Sequence, residues 1–521
     1  MADEQEERRE IEAYLEQHHL QSFIGDAVND IVKDRPNDPL LTLGDALRAC
    51  SDASRQIQNV RGRQVLNGEA MPALAVEIRT GQQGLFFAAV SSGPFDGIDD
   101  YYDGRGVLKA VDSTDQMLAD ILLGKDPTRQ TNLDKVLNQE NLPANVVSAA
   151  SIACCKAGAR QASVSVFDHV GTLCNNSEGG IPATAFSIIN GGQSAASSLW
   201  IQDIFIVPIG GTLSERLRAA STVHRNIEAV ARDAGQGILQ RGPRGGFCNG
   251  AGTFEHLVDC LLASLDTAGR LDSFQLVVDV HASRLVSSSV RGEGQVEDGK
   301  RPTEYDLATF SSNTAVEMTT AQALLDIYIE WLEKYPIIAF VEPFAAADIV
   351  TSKELLIRGH QILQTKAARA GGEVAHSLIV PSSGDAQMEN PGSMESAEGL
   401  GGDESCVLRI IADESVSKLP QLTAMNDQRG ANAVMINTSK FSTVSDMIAL
   451  TTRASELGWA IVVAAANEQE LEGEFLADFG VGVRAEQLLL GGLRSAGTVA
   501  ACTRLMRIED EGVPHVRDGK E

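Results

Sequence analysis

The second half of the chain repeats one unit, and that repetition limits the folds open to it. Apolar, β-branched-rich runs recur at Phe274–Val280, Ile337–Val341, Val407–Ala412, Val434–Ile436, Ala460–Val463 and Gln487–Leu490. Between them lie stretches long enough for a helix, such as Ala321–Lys334 and Val444–Leu457. Near-continuous apolar strands alternating with helices predict a parallel sheet covered by helices. Further strands at Ala183–Ile189 and Trp200–Pro208 make enough to close a (β/α)8-type barrel. In such a barrel chemistry sits at the C-terminal ends of the strands. What each strand end presents is therefore the informative question.

The ends are lopsided. Upstream, Gln202-Asp203 lies in an apolar strand; the next ends offer Asp279, Glu342 and Asp413-Glu414, all acidic. Carboxylates converging at a barrel mouth suit an oxygen-loving divalent ion such as Mg2+. The later ends offer Asn437, then Ala464-Ala465-Ala466-Asn467, then Leu489-Leu490-Gly491-Gly492. None of these exchanges a proton near neutral pH. Asp279, Glu342 and Asp413 could equally be solvated, or paired with Arg284 or Lys440. His281 reads as a satisfied rim histidine.

Length and charge narrow the setting. A chain of 521 residues suits two or three domains. Its formal net charge of -28 repels phosphate backbones and anionic membranes, so neither a nucleic acid nor a membrane surface is expected as partner. Apolar runs such as Ile204–Val207 fall far short of the ~20 residues of a spanning helix. Met1-Ala2-Asp3-Glu4 opens an acidic N-terminus without a basic, apolar-cored leader. Eight scattered cysteines without C-x-x-C spacing suggest reduced thiols in a cytoplasmic setting.

Residues 1–50 differ from the rest. Ile11, Leu15, Phe23-Ile24, Ala27 and Ile31-Val32 follow helical spacing up to Lys33-Asp34-Arg35-Pro36-Asn37-Asp38-Pro39. There the prolines interrupt, and Leu40-Leu41-Leu43-Ala46-Leu47 begins again. Two short helices cannot bury both faces alone, so self-association is expected through Ile11, Leu15, Ile31, Leu43 and Leu47. With Tyr14-Leu15 and the Lys33–Leu40 turn, the segment resembles the docking-and-dimerisation domain of protein kinase A regulatory subunits and its Dpy-type relatives. That resemblance implies a four-helix bundle whose groove takes an amphipathic helix from an anchoring protein. A helical cap on the chain's own body is the plain alternative.

From about Val60 to Glu511 the chain resembles enolase. The resemblance rests on Asn190-Gly191-Gly192, Gln202-Asp203 with Val207-Pro208, Asp298-Gly299-Lys300, Tyr305-Asp306-Leu307 and Tyr335-Pro336-Ile337. It continues through Glu342-Pro343-Phe344, Ile411-Ala412-Asp413, Phe475–Asp478 and Leu505–Glu509. It implies an α/β protein with an α+β lid at 55–180 and an enolase-type (β/α)8 barrel at 181–515, preceded by the helical hairpin read above at 1–50. Insertions fall near 287–299 and 371–405. A homodimer is implied, and a Mg2+ site with a lysine base.

Carried across residue by residue, the site looks degenerate. Two metal-binding aspartates match Asp279 and Asp413, but the glutamate between them falls on Val341, with Glu342 one residue later. A one-residue offset in a strand points a side chain to the other face unless a bulge corrects it. The lysine base falls on Asn437 and a second lysine on Leu489; the substrate-binding His-Arg-Ser run falls on Ala466, Asn467 and Glu468. A further histidine falls on Ser194, and Asp203 counts among the altered catalytic positions. The loop Gly242–Gly252, where the family keeps a general-acid glutamate, has no acid between Asp233 and Glu255, and Phe95 stands where a serine closes over the second Mg2+.

An enolase body joined to a docking segment resembles an enolase-like branch of sperm flagella. It suggests a non-catalytic structural component of a ciliary or flagellar axoneme, held there by anchoring proteins. The alternative is an active, Mg2+-dependent phosphopyruvate hydratase, converting 2-phosphoglycerate to phosphoenolpyruvate in flagellar glycolysis. A ligand sensor without turnover is a third reading.

Overall fold

The computed structural model describes residues 11, 13–17, 19–49, 55–68, 70–81, 84–91, 106–176, 178–192, 195, 197, 199–233, 240–248, 253–267, 274–286, 304–307, 318–370, 407–438, 440–465 and 471–516. None of the described helices is long and apolar enough to cross a membrane.

The N-terminal hairpin pairs α1 (Leu20–Asp34) with α2 (Pro39–Ala49). His19 (φ 49°) and Arg35 (φ 48°) take left-handed conformations that start and stop α1. Asp38 begins α2 by accepting a hydrogen bond from Leu41 N at 3.0 Å, with Pro39 in the first turn. The face expected from spacing is corrected here. Leu15, Ile31, Leu43 and Leu47 are half-buried, whereas Phe23, Ile24, Val28, Val32, Leu40 and Leu41 are exposed, Leu40 by 80%. Of the expected residues, only Ile11 is exposed. Packing one helix on the other buries one stripe and leaves the opposite one wet.

The lid is a meander of β1 (Ile57–Leu66), β2 (Pro72–Thr80) and β3 (Leu85–Ser91), all antiparallel, backed by α3 (Gln130–Gln139) and α4 (Ala144–Gln161). Its seam with the barrel is polar and buried. Asp134 on α3 accepts from Ser445 N (2.9 Å), Ser445 Oγ (2.6 Å) and Ser151 Oγ (2.7 Å), while Gln130 Nε2 donates to both its oxygens. Lys156 on α4 pairs with Glu472, whose Oε1 also accepts from Ala89 N at 2.7 Å.

The barrel closes through β4 (Ala183–Asn190), β5 (Asp203–Pro208), β8 (Phe274–Asp279), β9 (Ile337–Val341), β10 (Arg409–Ala412), β11 (Ala433–Asn437), β12 (Ala460–Ala464) and β13 (Gln487–Leu490), with β13 pairing back to β4. A short hairpin, β6 (Gln240–Arg241) and β7 (Phe247–Cys248), hangs from the end of β4. The sheet is not wholly parallel: β5 runs antiparallel to both β4 and β8. The short connection 191–202 turns the chain straight back instead of crossing over by a helix. Inside the barrel an apolar plug includes Phe205, Val277, Val341, Met435, Val462 and Leu489. A larger core lies between strands and outer helices.

Candidate functional site

Reversal of β5 brings Asp203 to the mouth. As the first residue of that strand it stands opposite Asn190, the last of β4, and Asp279, the last of β8. Both aspartates are buried, and Ser187 Oγ donates to Asp203 Oδ1 at 2.8 Å. Over them lies the β6–β7 turn, which puts Arg244 Nη1 3.6 Å from Asp279 Oδ2 and 3.8 Å from Asp203 Oδ2. The turn is fixed from two sides. Asn190 Oδ1 accepts from Arg244 N (3.2 Å) and Gly246 N (3.1 Å), while Gly492 N donates to Arg244 O at 2.5 Å. A Cβ at Gly492 would lie 1.9 Å from Gly245 O, so the glycine is what lets the two loops touch. Burial lifts the Asp203 carboxyl to about 7, although Arg244 and the Ser187 bond pull it down.

His281, just past β8 at φ 53°, bridges the acids. Its Nδ1 is 3.1 Å from Asp279 Oδ1; its Nε2 is 3.0 Å from Glu414 Oε1 and 3.7 Å from Asp413 Oδ2. Burial disfavours the imidazolium, but the three carboxylates outweigh it and hold His281 protonated up to about 10. Glu414 falls to about 2, mainly through the hydrogen bond from His281. Burial also acts on Asp279, yet His281 and Arg244 keep it below the usual carboxylate range. Lys440 forms an ion pair with Asp413, and Arg284 pairs with Glu414 at 3.2 Å, not with the three expected ligands.

Glu342 does not join Asp279 and Asp413 in a ligand set. At φ 47° it follows β9, and its Oε1 accepts from Asp413 N (2.6 Å), Ser415 N (3.0 Å) and Ser415 Oγ (2.6 Å). The carboxylate is engaged in holding the loop after β10; burial raises its pKa against those bonds. Val341 faces the apolar plug, so the offset leaves no acid at the end of β9 beside Asp279. Asn437 closes β11, buried, and Leu489 is 1% exposed among apolar neighbours. Ala466, Asn467, Glu468 and Ser194 lie outside the described residues, as do residues 92–97, 249–252 and both insertions.

A divalent ion needs several oxygens turned to one point. Among the described residues no group of three His, Cys, Asp or Glu is disposed to hold one. Asp279 faces His281 and Arg244, Asp413 faces Lys440, and Glu342 is bound to backbone N–H groups. These residues do not fit Mg2+. The pairing of Asp413 with Lys440 was among the alternatives that the sequence left open; the insertion of Arg244 was not. Its only sequence signal is an arginine inside the glycine-rich turn where the resemblance expects an acid.

Comparison with known proteins accords with this architecture. Residues 57–170 match the family described as "Enolase, N-terminal domain", and residues 179–366 and 403–517 match "Enolase, C-terminal TIM barrel domain". Cytosolic enolase 3 of Arabidopsis thaliana is 25% identical over 522 aligned residues, covering 96% of each chain, so that match reaches into the N-terminal hairpin. The enolase of Solanum lycopersicum is 25% identical over 87% of this chain and 95% of its own. That of Eimeria tenella is 26% identical over 87% and 96%.

Proposed function

The chain belongs to the enolase family, and from that premise we propose that it is a non-catalytic enolase-type body, tethered by its N-terminal hairpin to a larger assembly. The observation that carries this reading is the composition of the mouth. Asn437 and Leu489 end β11 and line β13 where the family's lysines are expected, and neither side chain can abstract a proton from carbon. Losing a general base costs about 10²–10⁴-fold in rate. Here the glycine-rich turn also carries no acid and presents Arg244, and Glu342 serves a loop.

The tether is argued from the hairpin. Phe23, Ile24, Val28, Val32, Leu40 and Leu41 leave an apolar surface that one hairpin does not cover, which suits a second hairpin or an amphipathic helix of an anchoring protein. An axonemal setting rests on the resemblance of that segment to docking domains, with a homodimer as the working assembly. Deleting residues 1–50 should abolish recruitment to the assembly while the barrel keeps its thermal transition. Unchanged localisation of the truncated protein would contradict the tether.

A second reading, residual phosphopyruvate hydratase activity, has one observation in its favour: Lys440 brings an amine to the mouth, on Asp413. A coupled assay with 2-phosphoglycerate separates the two.

A further inference from the structure

We infer that Arg244 and Lys440 take the place of the divalent ion, with His281 lying between the acids, so that the barrel mouth is a side-chain cluster complete without metal. This deepens the non-catalytic reading and rests on it for the identity of the site. Four carboxylates, Asp203, Asp279, Asp413 and Glu414, meet Arg244, His281 and Lys440 at contact distance. Arg244 Nη1 spans Asp279 (3.6 Å) and Asp203 (3.8 Å), His281 lies between Asp279 (3.1 Å), Glu414 (3.0 Å) and Asp413 (3.7 Å), and Lys440 closes on Asp413. Asp203, Asp279 and Asp413 are nearly inaccessible, Glu414 is 43% exposed, and Arg244 and Lys440 are themselves mostly covered, at 17% and 23% side-chain exposure. Unpaired carboxylates packed this closely would repel one another and lose hydration. A bound cation relieves both costs, and it can come from solution or from the chain.

The geometry points to the chain as the source. Arg244 is placed by backbone: its N–H donates to Asn190 Oδ1, and its carbonyl accepts from Gly492 N. Asn190 ends β4 and Gly492 lies two residues past the end of β13, so the guanidinium is delivered by the same framework that delivers the aspartates. An incoming ion would have to displace a planar donor held at two carboxylates at once. It would also have to break the Lys440 pair and turn His281 away. Glu342 could not help, because its Oε1 already caps Asp413 N and Ser415 N.

The test compares thermal midpoints of the full chain in EDTA and in about 10 mM Mg2+, since a ligand that binds only the folded state raises the midpoint. The intact protein should shift by less than about 1 °C, and calorimetric titration should show no saturable site tighter than about 1 mM. Arg244→Ala/Lys440→Ala, which vacates the cluster, should melt lower in EDTA and recover by several degrees in Mg2+. Arg244→Lys, which keeps a cation there, should remain indifferent to Mg2+. Saturable Mg2+ binding by the intact protein overturns the inference whether or not the double variant folds. A folded double variant that is as stable as its parent and insensitive to Mg2+ overturns it as well. Mg2+ binding without turnover would leave the non-catalytic reading standing; turnover of 2-phosphoglycerate would remove that reading instead.

Discussion

Replacing Leu489 by lysine restores one charge that the family's chemistry expects, and the structure assigns it a cost. Leu489 is 1% exposed, paired in register with Ala464 on one side and Ala185 on the other, inside the apolar plug of the barrel. A free lysine titrates near 10.4, and burial in such surroundings depresses that by about 3–5 units. At pH 7 the buried amine is then held neutral, which costs about 1.4 kcal/mol for each unit between 7 and 10.4, or about 4–5 kcal/mol in all. The sign follows from proton counting. The folded state binds fewer protons than the unfolded one, so the variant regains stability as pH rises, and the electrostatic deficit shrinks to about 2 kcal/mol at pH 9. Urea denaturation of Leu489→Lys and its parent at pH 7 and pH 9 measures both figures. A variant as stable as the parent at pH 7 would refute the reasoning, because it would show that the lysine reaches a carboxylate or water. A deficit that does not shrink at pH 9 would assign the whole loss to packing.

Other substitutions probe other parts of the account. Asn437→Lys adds an amine at the end of β11, close to an Asp413 that Lys440 already neutralises; it should lower the thermal midpoint and yield no turnover, and a raised midpoint would contradict the pairing. Asp134→Asn turns an amide NH2 toward Ser445 N–H, Ser445 Oγ, Ser151 Oγ and Gln130 Nε2, nearly all donors, and should cost about 1–3 kcal/mol by denaturant titration; a neutral effect would show that the lid seam does not depend on that carboxylate. Val32→Glu with Leu40→Glu places charge on the exposed face of the hairpin. The pair should weaken self-association in sedimentation without moving the barrel's melting, and unchanged association would place the contact elsewhere.

The barrel is legible in the sequence because its strands are buried on both faces. Ile337–Val341 and Gln487–Leu490 appear as uninterrupted apolar runs and fold as β9 and β13 over those residues. Direction is not legible in such a run, since Trp200–Pro208 reads the same either way. The antiparallel course of β5, and with it the arrival of Asp203 beside Asp279, comes from the short link before it. Glu342 lies one residue past β9 at φ 47°, so the turn there, and not the period of the strand, directs its carboxylate to the Asp413–Ser415 loop. Arg244 was hidden because its role depends on a turn held by Asn190 and Gly492, residues far apart in the chain. The hairpin's apolar spacing was visible, but spacing alone does not say which stripe a neighbouring helix will cover. Ile31, Leu43 and Leu47 turned inward while Val28, Val32 and Leu40 stayed in water.

The central proposal is that this body does not run the family's reaction, because Asn437 and Leu489 stand where its lysines are expected. The direct measurement is the rate of phosphoenolpyruvate formation by the purified full-length chain from 2-phosphoglycerate, with and without Mg2+. The account predicts no rate above the protein-free background under either condition. Magnesium-dependent turnover within about 10²-fold of an ordinary enzyme's 1–10³ s⁻¹ would contradict it.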